Sequence, residues 1–543
     1  MAINFAFLKL IGLGSSYSYI PYKETGFFSR IVTDYLSSHH DIVPFYTFTP
    51  DENGIKEAIE QRAKYPVNRK TLADALTKQY EGLNKFGKTE ENIQLLLKEN
   101  TFTVCTAHQP NLLTGYLYFI YKILHAIKLA EHLSKQYPDK NFVPVYYMGS
   151  EDNDIEELGA FRFRGVKYVW DGDGQSGAVG RMNTKGLKKI LDELFKLFGP
   201  PGKQCDDLQT LLTNTYLKHN TIGAATQYLV NELFGQYGLL VIDPDEALLK
   251  ASFIPVMEDE LLHQSSYPII TDQVEKLGAH YKIQAHPREL NLFYLTDQLR
   301  ERIEKDGDKW KVVKTAIQFT QPEIIEELQQ HPERFSPNVM LRGLFQETIL
   351  PNVAFIGGGA EVAYWLQLKT LFEHYHVFYP CILLRQSVLW VEAPQSKLRR
   401  LLEFSIGDLF KEEQKQIVEY ISKHASEEWK TEEETKAIES IFESIKQKAT
   451  RLDATLSDGV SAALTRMKHQ LVTVEKKMLR AEKKKMDIQV KRIERLKRTL
   501  FPNNSLQERA ENFIDYYLDN GPAFIENVKE GIIPLSTDFL IVE

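Results

Sequence analysis

Three short stretches gather side chains that handle protons, charge or phosphate, and each lies where an apolar run gives way to a helix-like one. The first is TAHQPNLLTGYLYFIYK, Thr106 to Lys122. His108 is its candidate acid or base, or donor to a phosphate. The loop from His108 to Gly115 precedes a segment that reads as a helix from Thr114, whose free N–H groups and positive dipole end would attract an anion. Gln109, Asn111, Thr114, Gly115 and Tyr118 are the substrate contacts expected there. The plainer alternative is a helix-capping loop with a satisfied histidine. The second stretch is GSEDNDIEE, Gly149 to Glu157, where Glu151, Asp152, Asp154, Glu156 and Glu157 repel one another unless solvent, a cation or an ammonium group relieves them. Asp152 and Asp154 are candidate catalytic groups, and Glu151 and Asn153 candidate contacts. A substrate amine or hydrated Mg²⁺ would suit them, and an acidic cap for the next helix is the alternative. The spacing supplies no octahedral ligand set, so no metal site is assigned.

The third stretch is NVAFIGGGAEVAYWLQLK, Asn352 to Lys369. Gly357, Gly358 and Gly359 bare the backbone between an apolar strand and a helix, so a ligand can approach main-chain N–H groups. Glu361, Trp365 and Lys369 are spaced by four and would share one helix face. A tight turn with a surface ladder is the alternative. The motif is neither GxGxxG nor a P-loop. Shortly after, LLRQS places Arg385 and Ser387 beyond another strand, and an arginine there would pair with carboxylate or phosphate.

The elements that must position these groups read as an α/β fold. Apolar runs at Phe102–Thr106, Asn141–Met148, Leu239–Asp243 and Tyr379–Leu384 alternate with helical stretches, one of them from about Thr221 to Gln236. Continuous apolar strands between helices predict a parallel sheet covered on both faces. Beyond the strand ends of such a sheet lies the ligand crevice. His108, Asp152 and Gly358 are therefore expected to surround one pocket. Residues 1–100 read as short helices with an extended piece from Ile42 to Thr47. Arg162 to Gly180 reads as a hairpin, and residues 245–335 as a polar, helical insertion.

The last third changes character. Ile438, Ile441, Ile445, Leu452 and Leu456 form one heptad-like stripe; Leu464, Met467, Leu471, Val474, Met478 and Ala481 form another. Two arms joined at Ser457-Asp458-Gly459 predict an antiparallel helical hairpin. Residues 459–500 hold thirteen basic and four acidic side chains, whereas residues 411–444 hold ten acidic and five basic. Lys484, Lys485, Lys491 and Arg492 on the basic arm either face solvent beside the acidic arm or contact a nucleotide phosphate.

The chain has 543 residues and a net charge of −8, too mild to imply a nucleic-acid partner. Three cysteines far apart argue against a zinc or disulfide framework and fit a reducing cytoplasm. No run of about 18 apolar residues is present, so no membrane span is expected. The N-terminal MAINFAFLKLIGLG has no preceding basic region and is interrupted by Lys9, so it is not read as a signal peptide.

Taken together, TAHQPNLLTGYLYFIYK, VPVYYMGSEDNDIEE, FSPNVMLRGLFQETILPNVAFIGGGAEVAYWLQLK and ILLRQS resemble, in order and spacing, the bacillithiol biosynthesis cysteine-adding enzyme family. The resemblance covers essentially the whole chain. It implies a Rossmann-like core over residues 1–390 with two connecting insertions, at about 160–220 and 245–335. A helical domain follows over 391–543, with a coiled coil at about 430–500 that supports a homodimer. It implies a ligase that attaches L-cysteine to the amine of glucosaminyl malate, on a plan similar to class I aminoacyl-tRNA synthetases. It adds Asn338 and Arg342 to the substrate-binding set. This chain departs from the family at Asn153, where a histidine is usual, at the all-glycine turn Gly357–Gly359, and at Leu384, where proline is common. Making an amide in water requires an activated carboxyl, which points to ATP as co-substrate, with Mg²⁺ in attendance. On that view His108, the Thr114–Gly115 turn and Arg385 hold phosphate or carboxylate, and Asp152 and Asp154 hold an ammonium group. The alternatives are another ATP-dependent amino-acid ligase or nucleotidyl transferase, or a metabolite-binding coiled-coil protein without turnover.

Overall fold

The computed structural model describes residues 15–425 and 429–543, so the N-terminal MAINFAFLKLIGLG lies outside the described residues. Two compact units emerge. One comprises the chain up to Lys23, Phe27–Trp390 and Ser505–Glu543; the other comprises Glu24–Gly26 and Val391–Asn504. The expected helical domain at 391–543 therefore divides, because its last 39 residues belong to the first unit.

The centre of the first unit is a five-stranded, wholly parallel sheet. Its strands are β1 (Thr101–His108), β2 (Asn141–Met148), β3 (Leu240–Ile242), β4 (Asn352–Gly357) and β5 (Cys381–Leu384). They lie in the order β5-β4-β1-β2-β3. The chain winds outward from β1 to β3, then returns to β1's other side and winds to β5. The direction reverses between β1 and β4, and a doubly wound sheet opens its crevice at the carboxyl ends of such a pair. Helix α1 (Leu117–Gln136) carries the chain from β1 to β2 and buries Phe119, Ile120, Ile123, Leu124 and Ile127. Burial on nearly all sides from Leu117 to Ile127 explains the apolar run there, interrupted by Lys122 and His125, while the last turns are polar and partly exposed.

Several expectations are corrected. Residues 245–335 are not simply helical. Four strands within them, from Leu292–Thr296 to Gln318–Thr320, join Phe335–Pro337 in a five-stranded antiparallel sheet. Charged outer positions in LRERIEKD hid the alternation, although Gly307-Asp308, the two-residue loop between Asp306 and Lys309, is a hairpin signal. The extended piece at Ile42–Thr47 is instead a short 3-10 turn, Val43–Phe45. A strand at Tyr17–Pro21 pairs antiparallel with Asp538–Val542, which runs parallel to Val388–Trp390.

In the second unit, Glu432–Leu452 and Leu456–Lys485 form the helical hairpin. Thr431 donates to Glu475 and Lys468 pairs with Glu439, which sets the arms antiparallel. The turn falls at 453–455, and Asp458 and Gly459 lie inside the second helix. That helix ends at Lys485 and a new one, Asp487–Leu500, follows. No helix among the described residues is long and apolar enough to cross a membrane.

Beneath the sheet, Glu347 is buried against the start of β4. Its Oε1 accepts from Gln346 and from Asn352 (2.9 Å), while Oε2 has no partner. Burial pushes its pKa up to about 7, with the two amides and Arg62 opposing. A carboxyl whose folded pKa exceeds its unfolded value gives stability that is intact below about 4.5 and lost as pH rises through about 7. Glu347→Gln is therefore expected to come close to the parent near pH 4.5 and to exceed it by about 3 kcal/mol at pH 8. Urea unfolding at the two pH values measures this; an equal difference at both would refute it.

Candidate active site

A cavity of about 260 Å³ opens at the reversal point between β1 and β4. Ala107, His108 and Gln109 from the end of β1 form one wall. Gly358 and the start of helix α3 (Gly359–Trp365) form the facing wall. Tyr118 and Lys122 of α1, Tyr147, Gly149, Val339 and Arg342 of helix α2 (Val339–Ile349), Tyr364, Arg385 and Arg509 complete the lining.

Lys122 ties the two strand ends together. Its ammonium, fully buried, donates to the Ala107 carbonyl at 2.7 Å and pairs with Glu361. Glu361 in turn accepts from the Gly358 N–H at 2.8 Å, closing the first turn of α3. Burial pulls the Lys122 pKa down and Glu361 opposes it without cancelling it. Gly357 lets α3 sit this close, because a Cβ there would lie 2.9 Å from both the Glu361 Cβ and the Phe355 ring.

His108 meets the cavity between Tyr118 and Phe119, each ring edge-on at 5.3 and 5.4 Å. Burial holds its pKa well below the usual histidine range, and the charges of Lys122 and Arg385 push the same way. The imidazole is thus neutral near pH 7, and its Nε2 has no protein partner. Arg385 also keeps a free buried donor, its Nε. Its other nitrogens grip Glu508 in a two-pronged pair at 2.7 and 2.6 Å. Asp152 sits behind the lining, accepting from Gln109 at 3.2 Å and lying 3.8 Å from Arg342. Burial alone would raise its pKa, but Arg342, Arg300 and Gln109 bring it below the usual value.

The expected enclosure by His108, Asp152 and Gly358 holds for His108 and Gly358, with Asp152 one layer back. Other candidates have structural duties. Asp154 caps the short helix Ile155–Leu158 through the Glu157 N–H. Glu151 is buried against Lys250, which the protein itself supplies to relieve the acidic loop. Asn153 exchanges hydrogen bonds with Arg300. Asn338 caps Val339–Ile349 and bonds Asn291. Ser387 is buried beside Arg385, its N–H donating to the Tyr22 hydroxyl. Trp365 belongs to an aromatic core with Phe355 and Phe372, and Lys369 starts a separate helix, so the expected face does not form.

The helix-start anion site is also corrected. α1 begins at Leu117, whose N–H already donates to the Glu511 carbonyl at 2.9 Å. Asn512 donates to the Leu113 and Gly115 carbonyls. Gly115 has φ +65°, and a Cβ would lie 2.9 Å from Asn111. Asn111, Thr114 and Gly115 thus build a packed turn outside the cavity lining. On the second unit, Lys491 pairs with Asp487 (2.7 Å) and Lys485 with Glu482, while Lys484 and Arg492 are exposed.

Sequence reasoning passed over Lys122 and Arg509. A lone lysine four residues after Tyr118 in an otherwise buried apolar helix was a usable signal for the first. Nothing local marked Arg509, which folding brings from about 400 residues beyond His108.

Comparison with known proteins is consistent from residue 16 to residue 543. The model of the bacillithiol biosynthesis BshC N-terminal Rossmann-like domain matches residues 16–386, and that of the BshC C-terminal coiled-coil domain matches 388–543. A Flavobacterium johnsoniae protein named "Putative cysteine ligase BshC" is 40% identical over 525 residues, covering 96% of this chain and 99% of its own. A protein of the same name from Christiangramia forsetii is 40% identical over 533 residues, covering 96% and 98%.

Proposed function

The chain belongs to the bacillithiol biosynthesis BshC family, and from that premise we propose that it is a ligase joining the carboxyl of L-cysteine to the amine of glucosaminyl malate. The observation that carries this reading is the cavity between β1 and β4. Four cations, Lys122, Arg342, Arg385 and Arg509, line it against one carboxylate, Glu361. Such a lining stabilises carboxylate or phosphate and the charge that develops during acyl transfer. ATP is the proposed source of activation, with Mg²⁺ accompanying it. The cysteine carboxyl would displace part of the triphosphate to give a mixed anhydride. The sugar amine would then attack that carbonyl, forming the C–N bond as the phosphate or AMP leaves and the amine proton departs. His108, neutral with a free Nε2, is the group suited to take that proton. Asp152 orients Arg342 and Gln109 rather than meeting substrate.

Incubating the protein with L-cysteine, glucosaminyl malate and ATP, then measuring product by mass spectrometry, tests the reaction. Absence of the amide sinks it. His108→Ala is expected to lower turnover about 10²-fold or more with little change in stability. A variant that unfolds would instead make His108 a packing residue.

A homodimer through the helical hairpin belongs to the same proposal. Ile441, Ile445, Leu452, Met467 and Val474 remain exposed on the single chain, at 43–83%. An apolar row of that size seeks a partner. Changing Met467, Leu471 and Val474 to Glu together is expected to shift the protein to monomer by light scattering at micromolar concentration. A parent that is already monomeric there removes the dimer.

A further inference from the structure

We propose that Tyr147 is a substrate-contacting, specificity-determining residue whose hydroxyl bonds a ring hydroxyl of the sugar acceptor. The inference rests on the ligase reading above and names what the uncharged part of its cavity reads.

Successive side chains of β2 point to opposite faces of the sheet. Tyr146 lies on the α1 face, edge-on to Phe119 at 5.2 Å, with its hydroxyl donating to the His108 carbonyl at 3.0 Å. Tyr147 therefore projects from the other face, where it lines the cavity with Arg342. It is 1% exposed, and its hydroxyl has no partner in the protein. Its register neighbour on β1 is Ala107, whose methyl offers no hydrogen bond. Buried tyrosines elsewhere in this unit spend their hydroxyls on the main chain. Tyr35 donates to the Ile382 carbonyl at 2.6 Å, and Tyr80 and Tyr216 each accept an N–H at 2.8 Å, from Val241 and Leu113. Tyr46 and Tyr121 also lack partners, but neither lines the cavity. A buried hydroxyl left unbonded costs free energy, so one kept at a cavity wall calls for a ligand group.

Burial pushes the Tyr147 pKa well above the usual tyrosine value, with Glu151 adding to this and Arg342 opposing it. The group is thus a neutral phenol that both donates and accepts. Carboxylate and phosphate go to the four cations of the lining. The charge of Arg342 beside the phenol disfavours the cysteine ammonium there. What remains is the cysteine thiol, a weak partner, and the alcohols of the sugar ring, which donate and accept as the phenol does. His108 and Tyr147 stand on opposite faces at the ends of adjacent strands. An acceptor whose amine faces His108 reaches Tyr147 by lying across the sheet edge, which presents its ring to the phenol.

Tyr147→Phe keeps the ring and removes only the oxygen. Parent and variant are compared in amide formation, and in calorimetric binding of glucosaminyl malate and of its deoxy analogues, each lacking one ring hydroxyl. The variant should keep or raise the Tm, because no internal hydrogen bond is lost. Its KM and Kd for glucosaminyl malate should rise about 10–100-fold, with the KM for L-cysteine and for ATP changed less than about twofold. One deoxy analogue should show a similar loss with the parent and no further loss with the variant. A lower Tm would mean that the hydroxyl is spent inside the protein, and overturns the inference. So does a loss carried by the cysteine KM, or a variant that discriminates among the deoxy analogues as the parent does. If the parent forms the amide and Tyr147→Phe matches it, the inference alone fails. If the parent neither binds glucosaminyl malate nor forms the amide, the ligase reading fails with it.

Discussion

Glu508→Ala is expected to cost the first unit about 3–5 kcal/mol, because it strands a guanidinium in the interior. Arg385 and Glu508 are 3% and 0% exposed, and their paired hydrogen bonds leave no route for water to substitute. Glu508 Oε2 also accepts from the Val388 N–H at 3.2 Å, so the carboxylate fixes the strand after Arg385 as well. Urea unfolding should show a lower midpoint at unchanged slope. Arg385→Met combined with Glu508→Leu should recover most of the loss, since a matched apolar pair removes the stranded charge. That double variant should remain inactive, having lost the Nε donor at the cavity. Full activity in it would mean that Arg385 is only structural.

Lys122→Met is expected to lower kcat/KM by about 10²–10³-fold, the effect of deleting one preorganised charge at a reacting centre. The ammonium holds both the Ala107 carbonyl and Glu361, and so fixes the distance between the ends of β1 and β4. Its loss also leaves Glu361 unopposed against the cavity. Lys122→Met with Glu361→Gln should restore stability without restoring rate. Recovery of both would reduce Lys122 to a neutraliser of Glu361.

The parallel sheet was legible because its strands carry their burial in the sequence: every residue of Phe142–Met148 is enclosed, and no polar position interrupts the run. The edge of the sheet was legible too, since His108 and the glycine turn follow strands that end on one side. What the sequence could not reveal is which polar residue meets solvent and which meets another residue. Glu151 and Asp154 look alike in GSEDNDIEE, yet one is matched by Lys250 and the other by a main-chain N–H three residues on. The anion site at the start of α1 failed for the same reason, because the Leu117 N–H is taken by the Glu511 carbonyl and the turn before it is packed by Asn512, which donates to the Leu113 and Gly115 carbonyls. Partners that distant leave no local periodicity.

The grip of Glu508 on Arg385 also sets a schedule for the protein's birth. The two residues are 123 positions apart. At about 5–20 residues per second, a ribosome delivers the carboxylate roughly 6–25 s after the guanidinium. Throughout that interval the nascent sheet carries a cation with no counter-charge and a cavity wall without Arg509. A chain released early at position 500 would retain β1 to β5 and yet lack the latch. The site is thus completed only when residues 508 and 509 have been made, and products cut short before them are left unstable rather than half-active.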